Sequence, residues 1–342
     1  MNLPPSPEHE QLVTAVRAFL AREAPLERLF AQKGEIGGDV RLWLDFGELG
    51  FLAVGLDEKL GGVGLGAAEE ALVYRELGRH LISPGVFGLT LGARLAAQAD
   101  NDAMLEAIVS GAARVALASP LGAAELGEVS SGEFHLLECR EAAWAIVWSP
   151  SGSGLFRTGD FIGIEDIPCI DRNLVLERGR LDHAEAVVWC GAETDPVHDS
   201  AQLLIAAYAV GVAEACQDLA AECARVREKF GGPIGSSLTV NRQRADTVML
   251  AEAAWSETAS ASSTFSADRQ RPSSRCVAAR VLAINAALRA ATTNINLQSE
   301  LGFTADGESR LYLERAHLMD RLGGDLRASP DDLFSSRLMQ RA

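Results

Sequence analysis

Three stretches of the C-terminal half, residues 200–230, 239–266 and 273–297, are patterned for helix and contain no internal proline. Each is long enough for about seven turns or more. The first closes on Gly231-Gly232-Pro233, a glycine that fits a left-handed helix stop followed by a proline that cannot continue it. Pro272 separates the other two. Helices this long bury their apolar stripes against one another, so an antiparallel long-helix bundle is predicted for residues 198–342. Two shorter helices, at 309–322 and after Pro330, are expected to close it.

The first 111 residues are also helical in pattern. Pro7 starts a helix in which Leu12, Val13, Val16, Phe19 and Leu20 recur at three- and four-residue spacing. Further helices are predicted at 40–49, 67–79, 88–98 and 103–109. Gly61-Gly62-Val63-Gly64-Leu65-Gly66 breaks the pattern as a loop needing positive φ. Between residues 112 and 197 the texture changes to strand-length runs at 115–118, 134–137, 145–148, 161–164 and 186–189, punctuated by Gly, Pro, Ser and Asp. This predicts a small antiparallel β domain. The fold class is therefore mainly α with a small β domain, in three parts: 1–111, 112–197 and 198–342.

Charge narrows the partners. With 47 acidic against 31 basic residues the formal net charge is −16, so nucleic acid and anionic membrane are not expected. No apolar run reads as a membrane span, and residues 1–8 lack a basic stretch followed by an apolar one, so no secretory signal is expected. The six cysteines form no C-x-x-C pair. Reduced thiols and a cytoplasmic location follow. The histidines show no metal-ligand spacing and there is no G-x-S-x-G elbow, so no metal or hydrolase site is expected.

Three signatures carry a family resemblance. Leu60-Gly61-Gly62-Val63-Gly64 is followed by Tyr74-Arg75-Glu76-Leu77-Gly78-Arg79. Arg227-Glu228-Lys229-Phe230-Gly231-Gly232-Pro233-Ile234-Gly235 follows the first long helix. Gly302-Phe303-Thr304 is followed by Tyr312-Leu313-Glu314-Arg315-Ala316. In this order, over nearly the whole chain, they resemble the acyl-CoA dehydrogenases. The resemblance implies a fold of N-terminal helical domain, middle β domain and C-terminal bundle. It also implies flavin adenine dinucleotide (FAD) as cofactor and an acyl-CoA thioester as substrate. Arg227 would reach the FAD pyrophosphate of a neighbouring subunit, a task suited to a guanidinium. Phe230 would pack beside the cofactor, and Gly231, Gly302 and Thr304 belong to the same cofactor-binding segments. A helix-terminal arginine complementing the macrodipole is the plainer reading of Arg227.

Family chemistry needs a carboxylate base at the α-carbon while the β-hydride passes to the flavin. In most members the base follows the helix of the third signature. The position equivalent to it here is Gly323. In a minority it lies near the start of the first long helix, where this chain has Ala201, with Gln202 replacing the adjacent family arginine. Asp199 and Asp325 lie nearby, and Asp199 is the weak candidate for an unusual base. The family's T-E-P-x-x-G-S-D strand corresponds to 117–124, which ends in Ala123-Ala124, and the paired glycines before Gly302 are Ser299 and Glu300. Trp144 and Trp148 read as core aromatics.

The resemblance then implies a base-lacking subunit paired with a homologous acyl-CoA dehydrogenase subunit in an α2β2 assembly, with a steroid side chain among the candidate acyl groups. Two other readings stay open: a self-sufficient homotetrameric flavoenzyme with an unusual base, and a non-catalytic structural or ligand-binding homologue without FAD.

Overall fold

A computed structural model describes residues 6–31, 40–195, 197–229, 231–267, 273–298 and 307–323. The described helices are α1 (Pro7–Glu23), α2 (Arg28–Ala31), α3 (Val40–Glu48), α4 (Ala67–Arg79), α5 (Gly85–Gln98), α6 (Asp102–Val109), α7 (His198–Val226), α8 (Leu238–Ala267), α9 (Ser273–Gln298) and α10 (Glu308–Arg321). Strands β1 (Arg114–Pro120), β2 (Val129–Leu137), β3 (Ala142–Ser149), β4 (Gly152–Arg157), β5 (Ile162–Ile167), β6 (Leu176–Glu185) and β7 (Val188–Gly191) fill the middle. The helix expected after Pro330 lies outside the described residues.

Local chemistry sets several boundaries. The hydroxyl of Ser6 accepts from the His9 amide while His9 Nδ1 accepts from the Ser6 amide, a capping box with Pro7 at the first helical position. α5 starts three residues before the expected 88, because Pro84 presets the entry and Gly85 lies inside the first turn. α7 ends at Val226 rather than at 230. There the chain leaves the helix for a two-residue ribbon pairing Glu228–Lys229 with Gly232–Pro233, and Gly231 turns the ribbon at φ +86°. The glycine is left-handed as expected, but it closes a ribbon and not the helix.

The described chain groups into two compact units, residues 1–30, 67–82 and 202–342 in one, 31–66 and 83–201 in the other. In the first, α8 packs along α9, α10 on α9, and α4 against α1 and α8. Residues 203–210 of α7 are buried without exception, as befits a helix that is apolar all round. By length and composition α7 and α9 could each cross a membrane, which corrects the expectation that no such run exists. Most of the apolar window of α7 is buried inside the chain.

Within that unit α4 and α7 touch backbone to backbone. A Cβ on Gly78 would lie 2.0 Å from the Tyr208 carbonyl oxygen, and one on Gly211 would lie 1.9 Å from that of Arg75. Only hydrogen fits at either point.

In the second unit the strands form one sheet in the order β5-β6-β2-β1-β3-β4-β7. Its core face carries Ala116, Phe134, Leu136, Val147 and Phe156. The sheet is mixed and not purely antiparallel as expected, since β1 and β3 run parallel. The cause is topological: β2 pairs with one side of β1, and the chain then steps across the end of β1 to lay β3 on its other side. The crossing is made by residues 138–141, with Glu138 and Glu141 both at positive φ.

Candidate functional site

Two of the three sequence signatures are fastenings of the first unit. Arg75 forks onto Glu214 (2.8 and 2.5 Å) and stacks on the Trp255 ring at 4.4 Å. Glu76 receives Arg17 at 2.8 and 2.9 Å, and Arg79 binds Glu214 and Asp218. The chain beyond α4 turns at Leu81, whose φ is +50°, and four side chains take its carbonyls. Tyr312 donates to Arg79 (2.7 Å), Arg28 to His80 and Leu81 (3.2 Å each), Arg315 to Leu81 and Ile82 (3.1 and 2.7 Å), and Tyr208 to Ile82 (2.7 Å). The Tyr208 hydroxyl also accepts from Arg315. Helix-end carbonyls need such donors when they are buried. Tyr312 and Arg315 of the third signature thus hold α10 to the end of α4.

Arg227 follows the last residue of α7. Its guanidinium donates to the Leu297 carbonyl in the last turn of α9, and the Cys223 thiol approaches the same oxygen at 3.6 Å. Its backbone carbonyl accepts from Ile234 at 2.8 Å, fixing the ribbon. The side chain is half-buried, and a Cβ on Gly231 would meet nothing within 4 Å. The residue therefore does serve as a helix-end cation, with donors of its fork left for an anion. Phe230, Gly302, Thr304 and Asp325 lie outside the described residues. Of the cofactor-binding set, Arg227 and Gly231 are described, and their chemistry fits one phosphate contact.

Near the start of α7 lies Asp199, the weak candidate for an unusual base. It sits in the first turn of that helix, with one carboxylate oxygen buried and without a hydrogen-bond partner among the described residues. Burial, and secondarily the neighbouring Asp195 charge, push its pKa up from 3.8 to about 6. Asp195 is satisfied by contrast. It accepts from Ser153 Oγ (2.7 Å) and from the amides of Val197 (2.8 Å) and His198 (3.4 Å), and burial still shifts its pKa upward. The two acids differ in solvation by hydrogen bonds, and Asp199 is the one left wanting a proton.

At the positions where the resemblance puts the family's base, Ala201 is fully buried and Gly323 ends α10 in a left-handed turn, φ +80°. The Gly323 carbonyl accepts from Arg280 Nη1 at 2.8 Å and lies 3.5 Å from Gln202 Nε2. Arg280 also donates to Gln202 Oε1 (2.9 Å) and the Asp320 carbonyl (3.4 Å). Sequence reasoning missed Arg280. Its signal was a lone charge in the apolar stripe Cys276, Ala279, Ala283, Ala287 of α9. On β3, Trp148 is buried in the core as expected, whereas Trp144 is only half-buried. Past β1, the segment ending in Ala123-Ala124 turns at Gly122, φ +79°, with no ionisable side chain between 117 and 124.

The helix order, the interposed sheet and these fastenings define an acyl-CoA dehydrogenase frame. Residues 6–111 match the family model for the acyl-CoA dehydrogenase N-terminal domain, and 199–326 that for the C-terminal domain. The chain belongs to the acyl-CoA dehydrogenase family, oxidoreductases acting on acyl-CoA. Among its relatives is acyl-CoA dehydrogenase IpdE2 of Mycobacterium tuberculosis, 29% identical over 318 residues and 92% of each chain. In fold it is similar to a variant of the Tcur3481-Tcur3483 steroid acyl-CoA dehydrogenase, with TM-score 0.83, 23% identity and coverage of 97% and 99%. The ChsE4-ChsE5 complex of Mycobacterium tuberculosis is similarly close, with TM-score 0.82, 20% identity and 99% of each chain.

Proposed function

We propose that this chain is a base-lacking subunit of an FAD-dependent acyl-CoA dehydrogenase assembly, paired with a homologous subunit that supplies the base and most of the flavin pocket. The observation that carries the reading is the pair of base positions. One is a buried alanine and the other a glycine in a left-handed turn, whose carbonyl is held by Arg280. A glutamate at 323 would have to adopt a backbone conformation costly for any residue with a Cβ. The loss is thus built into the backbone as well as the side chain.

Flavin, when bound in this family, accepts the hydride. This chain's own share would be Arg227, offering its remaining donors to a pyrophosphate across the subunit boundary, with Gly231 leaving room beside it. Two fold relatives named as pairs, Tcur3481-Tcur3483 and ChsE4-ChsE5, support a paired assembly, and the word steroid in the first supports a steroid-derived acyl-CoA. A cytoplasmic location goes with that reading.

Asp199 favours a second reading, a self-sufficient homotetramer using that carboxylate as base. Its buried oxygen and pKa of about 6 are the traits of a poised proton acceptor.

Flavin content and native mass separate the two. Expressed alone, the chain should be colourless or poorly soluble, and co-expression with a homologous subunit should yield a yellow heterotetramer. A yellow homotetramer of this chain that oxidises an acyl-CoA would sink the paired reading. Loss of that activity in Asp199→Asn would establish the second.

A further inference from the structure

The first turns of α8 are helical with almost nothing packed on them. From Leu238 to Leu250 only Thr247 is buried. A helix is ordinarily held by the packing of an apolar face, unless it is polar all round. This stretch is not. Leu238, Arg242, Ala245 and Met249, at four-, three- and four-residue spacing, fall on one exposed stripe. Leu238 (84%), Met249 (69%) and Val226 (61%) are the most exposed large apolar side chains among the described residues. The three share one corner of the first unit. Ile234 bonds back to Arg227, and Gln217 donates to the Thr247 carbonyl at 3.0 Å, so α8 runs antiparallel beside α7. That register sets Val226 level with Leu238. Single exposed apolar residues need no explanation, but a cluster on one helix face marks an interaction site.

The charge of this corner runs against that of the chain. Residues 225–245 hold five cations, Arg225, Arg227, Lys229, Arg242 and Arg244, and one anion, Glu228, in a chain of formal charge −16. A second copy docked here by two-fold symmetry would set the same patch on itself, cations against cations. Like charges so juxtaposed suppress the pairing. A homologous subunit with carboxylates on the apposed surface meets no such penalty. The location agrees, because the Arg227 carbonyl accepts from Ile234 just before α8 begins. The patch therefore adjoins the arginine to which the paired reading gives a pyrophosphate across the subunit boundary.

We infer that the start of α8, with Val226 beside it, seats the homologous subunit, and that its cations select that subunit over a second copy of this chain. The inference rests on the paired reading and adds to it a surface and a rule of selection. The occupant lays apolar side chains on Leu238 and Met249 and brings carboxylates to Arg242 and Arg244. The plainer alternative is a solvated helix whose exposed apolar residues touch nothing.

The test uses the full chain, alone and with a homologous acyl-CoA dehydrogenase subunit that keeps a glutamate at the base position. Wild type is compared with the double variants Leu238→Asp/Met249→Asp and Arg242→Glu/Arg244→Glu by native mass, dissociation constant and amide hydrogen exchange. All changes are on the surface, so the Tm of each variant alone should stay near wild type. Pairing should slow exchange across 238–250 at least tenfold in the wild-type chain. Leu238→Asp/Met249→Asp should weaken the pair about a hundredfold. Arg242→Glu/Arg244→Glu should weaken it at least tenfold at 10 mM salt and less at higher salt. A Leu238→Asp/Met249→Asp chain that keeps its Tm and pairs as tightly as wild type overturns the inference while leaving the paired reading intact. Slowed exchange at 238–250 in a self-associated wild-type chain overturns it too, by putting a second copy on the patch. If the wild-type chain forms no pair, the paired reading fails first and this inference with it.

Discussion

A carboxylate in the first turn of a helix is ordinarily held ionised by the free amides and the dipole. Asp199 departs from this because its neighbour Asp195 has already taken the amides of Val197 and His198. The folded chain therefore binds a proton at Asp199 more tightly than the unfolded chain between pH 3.8 and about 6. The sign follows from linkage. Asp199 costs no stability below that window, and the cost grows as pH rises through it and is then constant. Asp199→Asn should accordingly raise the unfolding free energy at pH 7 by on the order of 2 kcal/mol, and leave it unchanged near pH 3.5. Paired thermal melts at the two pH values check this. A variant less stable than wild type at pH 7 would mean that the unpartnered oxygen is hydrogen-bonded in solution. Residues that weaken a fold in this way are often retained for chemistry, which is why this one acid bears on the second functional reading.

Between elements, the strongest constraints are backbone contacts and buried arginines. Gly78→Ala on an exposed helix would stabilise it by about 1 kcal/mol. Here the added carbon would sit 2.0 Å from the Tyr208 carbonyl. We expect a loss of about 3 kcal/mol in a denaturant melt as α4 and α7 are forced apart, and a gain would show that they do not cross so closely. Arg315→Met removes the donor to Leu81 and Ile82 while leaving both carbonyls in place. It should cost about 3 kcal/mol, with hydrogen exchange rising first at residues 80–83. Unchanged exchange there would mean that Arg28 on Leu81 and Tyr208 on Ile82 suffice.

These contacts mark how far the sequence could be read. The bounds 67–79 of α4 were legible because Arg79 and the apolar period end together. The helix trio was legible because prolines and glycines divide it. Strands β4 and β6 were not: β4 begins Gly-Ser-Gly, and β6 carries a charge or glycine at six of its ten positions, so neither shows an apolar run. The parallel pairing of β1 with β3 has no local signal, since it depends on which side of β1 the chain returns. At the site, Ala201, Gly323 and Asp199 were visible as residue types at the positions the resemblance picks out. The contact of Gln202 with Arg280 was not, because positions 78 apart meet only through the bundle.

For the whole molecule, net charge is what discriminates between a homotetramer and a paired assembly. A homotetramer would gather four copies of a formal charge of −16. That self-repulsion opposes association and weakens as salt shortens the screening length from about 30 Å at 0.01 M to about 10 Å at 0.1 M. A less acidic homologous partner would relieve the repulsion without salt. Sedimentation of the chain alone should therefore show small species at 10 mM salt, with any self-association growing as salt is raised. The co-expressed pair should keep one mass across the same range. A homotetramer of this chain that is stable at 10 mM salt would show that its interface outweighs the charge, and would shift the balance toward Asp199 and the self-sufficient enzyme.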